Sequence, residues 1–269
     1  MTQSPCDRVN VLGVGISVLN LGKAIELIFN AVDQPSNLGF VTVTGVHGIT
    51  ESLSDPSLQQ IHNKSFLSTP DGMPTVWAGQ IKGYTHMSRV YGPDLMLKIT
   101  EKSNTTGHRH FYFGGNTGVA EKLKTTLHKT YQSLNVVATY TPPFRPLNEN
   151  EEEELLKQII KHQPHFFWVG LSTPKQEHFM HDFLSKHEAR LKEELNQGFL
   201  MLGVGAAFDF HSGEVAQAPT WMQNSGLEWL FRVMQEPKRL FMRYLKGNSK
   251  FLWNVFLAST GFKRFPLHK

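Results

Sequence analysis

The sequence predicts an α/β fold: a mainly parallel, Rossmann-like sheet flanked by helices, followed by a basic, aromatic C-terminal helical appendage. Three observations carry this. The segments "RHFYFGGNTGVAEKLKTTL", "HFFWVGLSTPKQEHFMHDFL" and "GFLMLGVGAAFDFHSG" share one plan, an apolar run reaching a glycine-containing turn, and the first two clearly continue into helices. Buried strands alternating with helices at this spacing form parallel sheets, because each crossover helix covers a sheet face. Composition then shifts near Pro219. From there to Lys269 nine Lys/Arg face two Glu, and ten of the thirty aromatics lie in those 51 residues. The expected division is a catalytic α/β domain over 1–218 and the appendage over 219–269.

Taken in order, "RVNVLGVGISVLNLGKAIELIFNAV" reads as strand, Gly-rich turn and amphipathic helix, with Leu21, Ile25 and Ile28 on one face. A dinucleotide fingerprint is tempting here. Gly13 and Gly15 fit it, but Val18 stands at the third glycine position and no acid ends a following strand at the right distance. The next stretch, to "STPDG", reads as strand, turn, helix and a short second strand leading to Asp71. A helix follows from Pro74 to about Lys82, and another begins after Gly92-Pro93. Between the first two glycine-turn segments, "TPPFRPLNENEEEELLKQIIKHQP" gives a Pro-rich loop and a helix whose acidic first turn suits its dipole. No internal repeat or low-complexity linker is visible.

Composition narrows the function. The single Cys6 excludes an intramolecular disulfide and any multi-cysteine metal site, and suits a reducing compartment. The N-terminus lacks the shape of a signal peptide, and no apolar run reaches the roughly 18 residues of a membrane span. A cytoplasmic protein is expected. The net charge of +4 hides +7 in the tail and −3 in the body, so an anionic partner is expected for the tail. Gly114-Gly115, the Ser172-Thr173-Pro174 turn and Gly203-x-Gly205 would stand at strand carboxyl ends, where backbone amides approach phosphate. No D-x-D, phosphate-loop lysine motif, H-E-x-x-H or G-x-S-x-G occurs. A phosphate-bearing ligand would therefore be neutralised by amides, Arg and Lys.

The tail offers those cations. Arg232, Arg239, Arg243, Lys246 and Lys250 follow at spacings of 7, 4, 3 and 4, one stripe of a helix that Pro237 either starts anew or kinks. Leu227, Leu230, Phe231, Met234, Leu240, Phe241, Tyr244 and Leu245 form the apolar counterpart, as on any surface helix. Trp229, Phe251, Trp253, Phe256 and Phe262 favour an interfacial membrane helix. Asp71 in "TPDGMPTVWAG" has two readings, a turn or N-cap residue and a catalytic carboxylate.

Six motifs in order, "TPDGMPTVWAG", "RVYGPDLM", "FYFGGNTGVAEKL", "WVGLSTPKQEHFM", "LGVGAAFDFHSG" and "APTWMQNSGLEWLFRVMQEPKRLFMRYL", resemble the WecG/TagA/CpsF glycosyltransferases from about Val9 to Leu245. The resemblance implies a bacterial, inverting, metal-independent transferase without a cofactor. It would move a hexose or N-acetylhexosamine-type sugar (ManNAc, its uronate or glucose) from a UDP-sugar to a polyprenyl-diphosphate-linked sugar, in cell-surface polysaccharide synthesis. It makes Asp71 the general base and places Thr42 near the reaction. Thr44 stands where relatives usually have Asn. Arg89 and Gln176 become substrate-binding residues, and Gly114, Gly115, Gly203 and Gly205 nucleotide-side turns, with Asp209 fixing the following loop. Arg232 and Arg239 would fold over the UDP diphosphate. Met242-Arg243 replaces a basic pair, so only Arg243 serves there. The expected setting is the inner face of the cell membrane, touched by the tail, with no nucleic acid as partner and homo-oligomerisation left open. The rival classes are a nucleotide-dependent oxidoreductase, which the broken fingerprint disfavours, and a basic nucleic-acid-binding module, which leaves Asp71 and the glycine turns unexplained.

Overall fold

The computed structural model describes residues 4–267, apart from the side chain of Arg239. The last two residues of the appendage and the Arg239 guanidinium thus lie outside the described residues. Six strands form one all-parallel sheet: β3 (Leu38–Thr44), β4 (Leu67–Pro70), β5 (Arg109–Gly114), β6 (Asn135–Tyr140), β7 (Phe166–Gly170) and β8 (Phe199–Gly203). Their order is β4-β3-β8-β7-β5-β6. Apolar residues point both ways along the central strands, since successive side chains alternate between faces. Tyr112, Phe166, Trp168, Leu200 and Leu202 enter one core, beneath α1 (Leu21–Val32), α5 (Gly92–Thr106) and α6 (Val119–Thr130). Phe111, Phe113, Phe167, Val169 and Met201 enter the other, beneath α7 (Glu149–His162) and α8 (Lys175–Glu194). Burial on both faces explains why these strands read as unbroken apolar runs.

The N-terminal segment departs from the expected strand, turn and helix. A second strand intervenes: β1 (Arg8–Val11) pairs antiparallel with β2 (Val14–Ser17). Leu12 and Gly13 form the two-residue turn with φ of 53° and 90°, the positive values that such hairpins need. Gly13 and Gly15 thus belong to a hairpin and do not open a helix, so the dinucleotide reading fails for a structural reason. The Arg8 guanidinium anchors this hairpin to the carbonyls of His62 (2.8 Å), Asn63 (3.1 Å) and Ser65. The segment after β3 holds two helices, α2 (Val46–Ser52) and α3 (Pro56–Lys64), with Asp55 capping the second. The helix after Asp71 is α4 (Met73–Ile81), close to the expected span.

The glycine turn after β8 leads into a short helix, α9 (Ala207–Ser212). In the tail, α10 (Thr220–Asn224) and α11 (Glu228–Gln235) precede α12 (Pro237–Ser259), with Pro237 in the first turn of α12 as a new start. Phe251, expected at a membrane, and Lys250, expected in the cationic stripe, instead hold α12 to the body. Phe251 is buried with Val9, Ile16 and Ile49, because α12 lies across α2. Lys250 donates to the Thr50 carbonyl (3.0 Å) and to Ser54 Oγ (2.6 Å), where the carbonyl end of α2 attracts a cation. The Phe265 carbonyl accepts from Asn10 Nδ2 at 2.7 Å, so the chain end returns to the hairpin. No helix among the described residues is long and apolar enough to cross a membrane.

Candidate active site

A cleft runs along the carboxyl ends of the strands, the expected ligand position in an open parallel sheet. It has two lobes, about 1260 Å³ beside β5 and about 700 Å³ beside β3 and β4. Gly170, Leu171, Ser172, Ala206, Asp209 and Arg232 line both and mark their junction. Helices α2, α4, α5, α6, α8 and α9 are among those that begin at residues lining this cleft, and none of these has a side-chain cap. By contrast, α1, α3 and α7 are capped by Asn20, Asp55 and Asn148. Orphan first-turn amides attract anions. The cleft is therefore amide-rich and suited to phosphate.

Asp71 follows β4 directly. Its amide donates to the Thr44 carbonyl at 3.1 Å, extending the β3–β4 pairing by one residue. Gly72 then turns the chain with φ of 88° and is itself the N-cap position of α4. The Asp71 carboxylate caps nothing, and no hydrogen bond occupies it among the described residues. It lies against Gly45, where a Cβ would stand 2.9 Å from the Asp71 carbonyl and 3.2 Å from Oδ2. Burial foremost, then the Glu228 carboxylate, push its carboxyl up to about 7, against the pull of Arg89 and Arg232.

Glu228, which the sequence reading passed over, organises the neighbourhood. It accepts from Tyr91 Oη at 2.6 Å and Arg89 Nη2 at 3.2 Å, and Arg89 Nη2 also reaches Gln223 Oε1 at 3.2 Å. The Arg89 guanidinium stacks 4.0 Å from the Tyr91 ring centroid. Arg89 thus braces the tail against the body. The available signal was an acid four residues before Arg232, which puts both on one face of α11. His47 was also missed. It lines the smaller lobe at the start of α2, near Glu51 (3.7 Å), and burial with the nearby Arg243 holds its imidazole below the usual range.

The other expected site residues divide by position. Arg232 lines both lobes and Arg243 the smaller one. Gly115 lines the larger lobe; its φ of 73° and the nearby Val119 Cβ, 2.9 Å from an added Cβ, exclude a side chain. Gly114, with φ of 128°, meets the Gly170 backbone at 2.7 Å, and Gly203 meets Met180 and Gln176. Those two glycines serve strand and helix packing. Gly205 lines the smaller lobe with φ of 55°. Gln176 reaches the same lobe, but its Oε1 accepts from the Gly205 amide (3.1 Å) and its Nε2 donates to Glu177 (2.9 Å), so it steadies the loop after β8.

Thr42 and Thr44 lie beneath the cleft and do not line it. Both are fully buried; their hydroxyls are 3.0 Å apart, each 3.2 Å from His62 Nδ1, and Ser68 Oγ donates to Thr44 at 2.9 Å. Burial lowers His62 to about 3, so the imidazole is neutral and the network holds the strand ends without net charge. Among the described residues no three His, Cys, Asp or Glu side chains stand close enough to share a metal ion.

The family model described as glycosyl transferase, WecG/TagA/CpsF, matches residues 9–264, which extends past Leu245 to take in all of α12. Two curated relatives are named N-acetylglucosaminyldiphosphoundecaprenol N-acetyl-beta-D-mannosaminyltransferase. The one from Bacillus spizizenii strain W23 is 24% identical over 208 residues, covering 77% of this chain and 75% of the relative. The one from Bacillus subtilis strain 168 is 25% identical over 188 residues, 70% of this chain and 68% of the relative. With the match spanning nearly the whole chain, the protein is a glycosyltransferase and belongs to the WecG/TagA/CpsF family.

Proposed function

We propose that the protein transfers an N-acetylmannosamine-type sugar from a UDP-sugar to a polyprenyl-diphosphate-linked N-acetylglucosamine, with inversion and without a metal. The relatives' names supply the transferred and accepting sugars. The observation that carries the chemistry is the Asp71 carboxylate, without a hydrogen bond among the described residues and raised to about 7 in an amide-rich cleft. Such a group accepts a proton near neutrality. Asp71 takes the proton of the acceptor hydroxyl as that oxygen bonds to the anomeric carbon. The bond from that carbon to the phosphate oxygen breaks on the opposite face, and its electron pair leaves with UDP. The larger lobe, with the Gly115 turn and the uncapped starts of α6 and α8, suits the nucleotide diphosphate. Arg232, at the junction, would stabilise the charge that grows on the leaving group.

Residues 219–269 then act as a closing element, held by Glu228 on Arg89 and Tyr91, and as a membrane-facing one at the inner surface of the cell membrane. Trp253, Phe256 and Phe262 are exposed, as interfacial anchoring requires. The test is a panel of UDP-sugars offered with a short-chain prenyl-diphosphate N-acetylglucosamine, with EDTA throughout. Transfer from UDP-N-acetylmannosamine with inversion, lost in Asp71→Asn by about 10²–10⁴-fold, is the expected result. An enzyme silenced by EDTA and restored by Mg²⁺ or Mn²⁺, or an Asp71→Asn variant near full activity, overturns it.

A further inference from the structure

The two lobes differ in their lining. Lys122, Lys175, Lys186, Glu152 and Asp182 line the larger one, beside apolar residues such as Phe144 and Phe179. In the smaller one, beyond the charged Asp71, Glu228, Arg232 and Arg243, two helices supply large apolar side chains. On α4, Met73, Trp77 and Ile81 repeat every four residues, so they form one stripe that starts two residues after Asp71. Eight residues of helix carry that stripe about 12 Å away from the carboxylate. Across the mouth, α12 presents Phe241, Leu245 and Leu252, offset by four and eleven residues and so on one face.

Both stripes face water. Trp77 is 45% exposed, Ile81 85%, Phe241 54% and Leu252 66%. Between Leu245 and Leu252 the lining falls to Gly247, Asn248 and Ser249, which leaves room between the two helices. A helix serving only its own core would turn such residues inward, as α12 does with Leu240 and Phe251. Rows of large apolar side chains that begin at a reactive carboxylate and run outward call for an apolar, extended ligand attached to the reacting sugar.

We propose that the groove between α4 and α12 is a binding subsite for the first isoprene units of the lipid-linked acceptor. Its sugar would face Asp71, and its chain would leave past Trp77 and Leu245 toward Ile81 and Leu252. The proposal rests on the reading of the acceptor given above and adds where its lipid lies. The groove has room for about two or three isoprene units, so selectivity for chain length should rise over those units and then level off. The subsite belongs to the protein and operates without a bilayer.

The experiment is accordingly free of membranes and detergent. Dimethylallyl, geranyl and farnesyl diphosphates are titrated into the full-length protein by calorimetry, and kcat/KM is measured for the matching sugar-linked acceptors. Affinity and kcat/KM should each climb about tenfold or more from one to three isoprene units. Trp77→Ala, and Ser249→Trp, which fills the groove from an exposed position, should flatten that climb; Trp77→Phe should keep it. Equal affinity for the three diphosphates overturns the subsite, as does an unchanged climb in Trp77→Ala and Ser249→Trp, and the stripes are then a surface for the bilayer alone. Chain-length-dependent binding without transfer to any sugar-linked acceptor would keep the groove and sink the proposed reaction, so the two failures are distinguishable.

Discussion

With Asp71 as the proposed base, turnover should climb with pH through neutrality, because the carboxylate must be ionised to accept a proton. Burial and the Glu228 carboxylate hold its carboxyl at about 7. Roughly one tenth of the molecules then carry the base ionised at about pH 6 and roughly nine tenths at about pH 8, so kcat/KM should rise about tenfold between them. An ordinary aspartate near 3.8 would give a flat profile across that range. The assay is UDP release at constant ionic strength from about pH 5 to 9, with kcat/KM taken at each point. Glu228→Gln is the sharper arm. It withdraws a charge that raises Asp71 and leaves Arg89 and Arg232 pulling it down, while Asp94 still pushes up. The acidic limb should move to lower pH. Tyr91→Phe removes the hydroxyl that donates to Glu228 but keeps the carboxylate, so its limb should stay. A flat wild-type profile, or a limb indifferent to Glu228→Gln, refutes the reasoning.

The remaining expectations share the same geometry. Since the folded-state value of Asp71 lies above its unfolded one, the stability it contributes is complete below about 4 and is lost as pH rises through about 7. Asp71→Asn should therefore be more stable than the parent near pH 8, by at most about 4 kcal/mol, with the gap closing toward pH 4 in urea titrations; a gap independent of pH contradicts the raised value. Gly45→Ala would put a methyl 2.9 Å from the Asp71 carbonyl. It should lower kcat about tenfold or more by displacing the base, with circular dichroism showing a folded protein. Arg232→Ala should cut kcat by about 10²-fold, and Arg232→Lys should recover part of it. Equal rates for all three proteins would remove Arg232 from the leaving-group site.

The parallel sheet was legible because β5, β7 and β8 are buried on both faces and so appear as apolar runs ending in glycine. β6 was not, since it is a half-exposed edge strand without a glycine turn. The hairpin hid behind Gly13 and Gly15, because a turn that needs positive φ looks the same in sequence whether a strand or a helix follows. Asp71 could be singled out from its position between Pro70 and Gly72, but the sequence could not tell a cap from a base. In the structure the carboxylate makes no capping bond to the α4 amides and lies against Gly45, which removes the cap reading and leaves the base as a proposal. Thr42 and Thr44 show the reverse case. The family resemblance placed them near the substrate, while their shared face of β3 and their bonding with His62 and Ser68 turn both inward.

The proposed role of Arg232 at the leaving group poses a positional problem for a residue on a tail helix, because charge stabilisation depends on distance and a loosely held helix would blur it. Glu228 addresses this. It lies four residues before Arg232 on α11, about one helical turn and on the same face, so fixing one fixes the other. Its two bonds go to Arg89 and Tyr91, which lie just before α5 on the body. The same carboxylate raises Asp71. On the mechanism proposed above, one side chain would couple the position of Arg232 at the leaving group to the proton affinity of Asp71 as base. If the tail lifted away, Arg232 would leave the junction of the lobes and Asp71 would lose the Glu228 charge, with Arg89 left to hold the carboxylate ionised but less basic. An open enzyme would then be weak on both counts, and transfer would be confined to the closed arrangement, with the acceptor already beneath the tail.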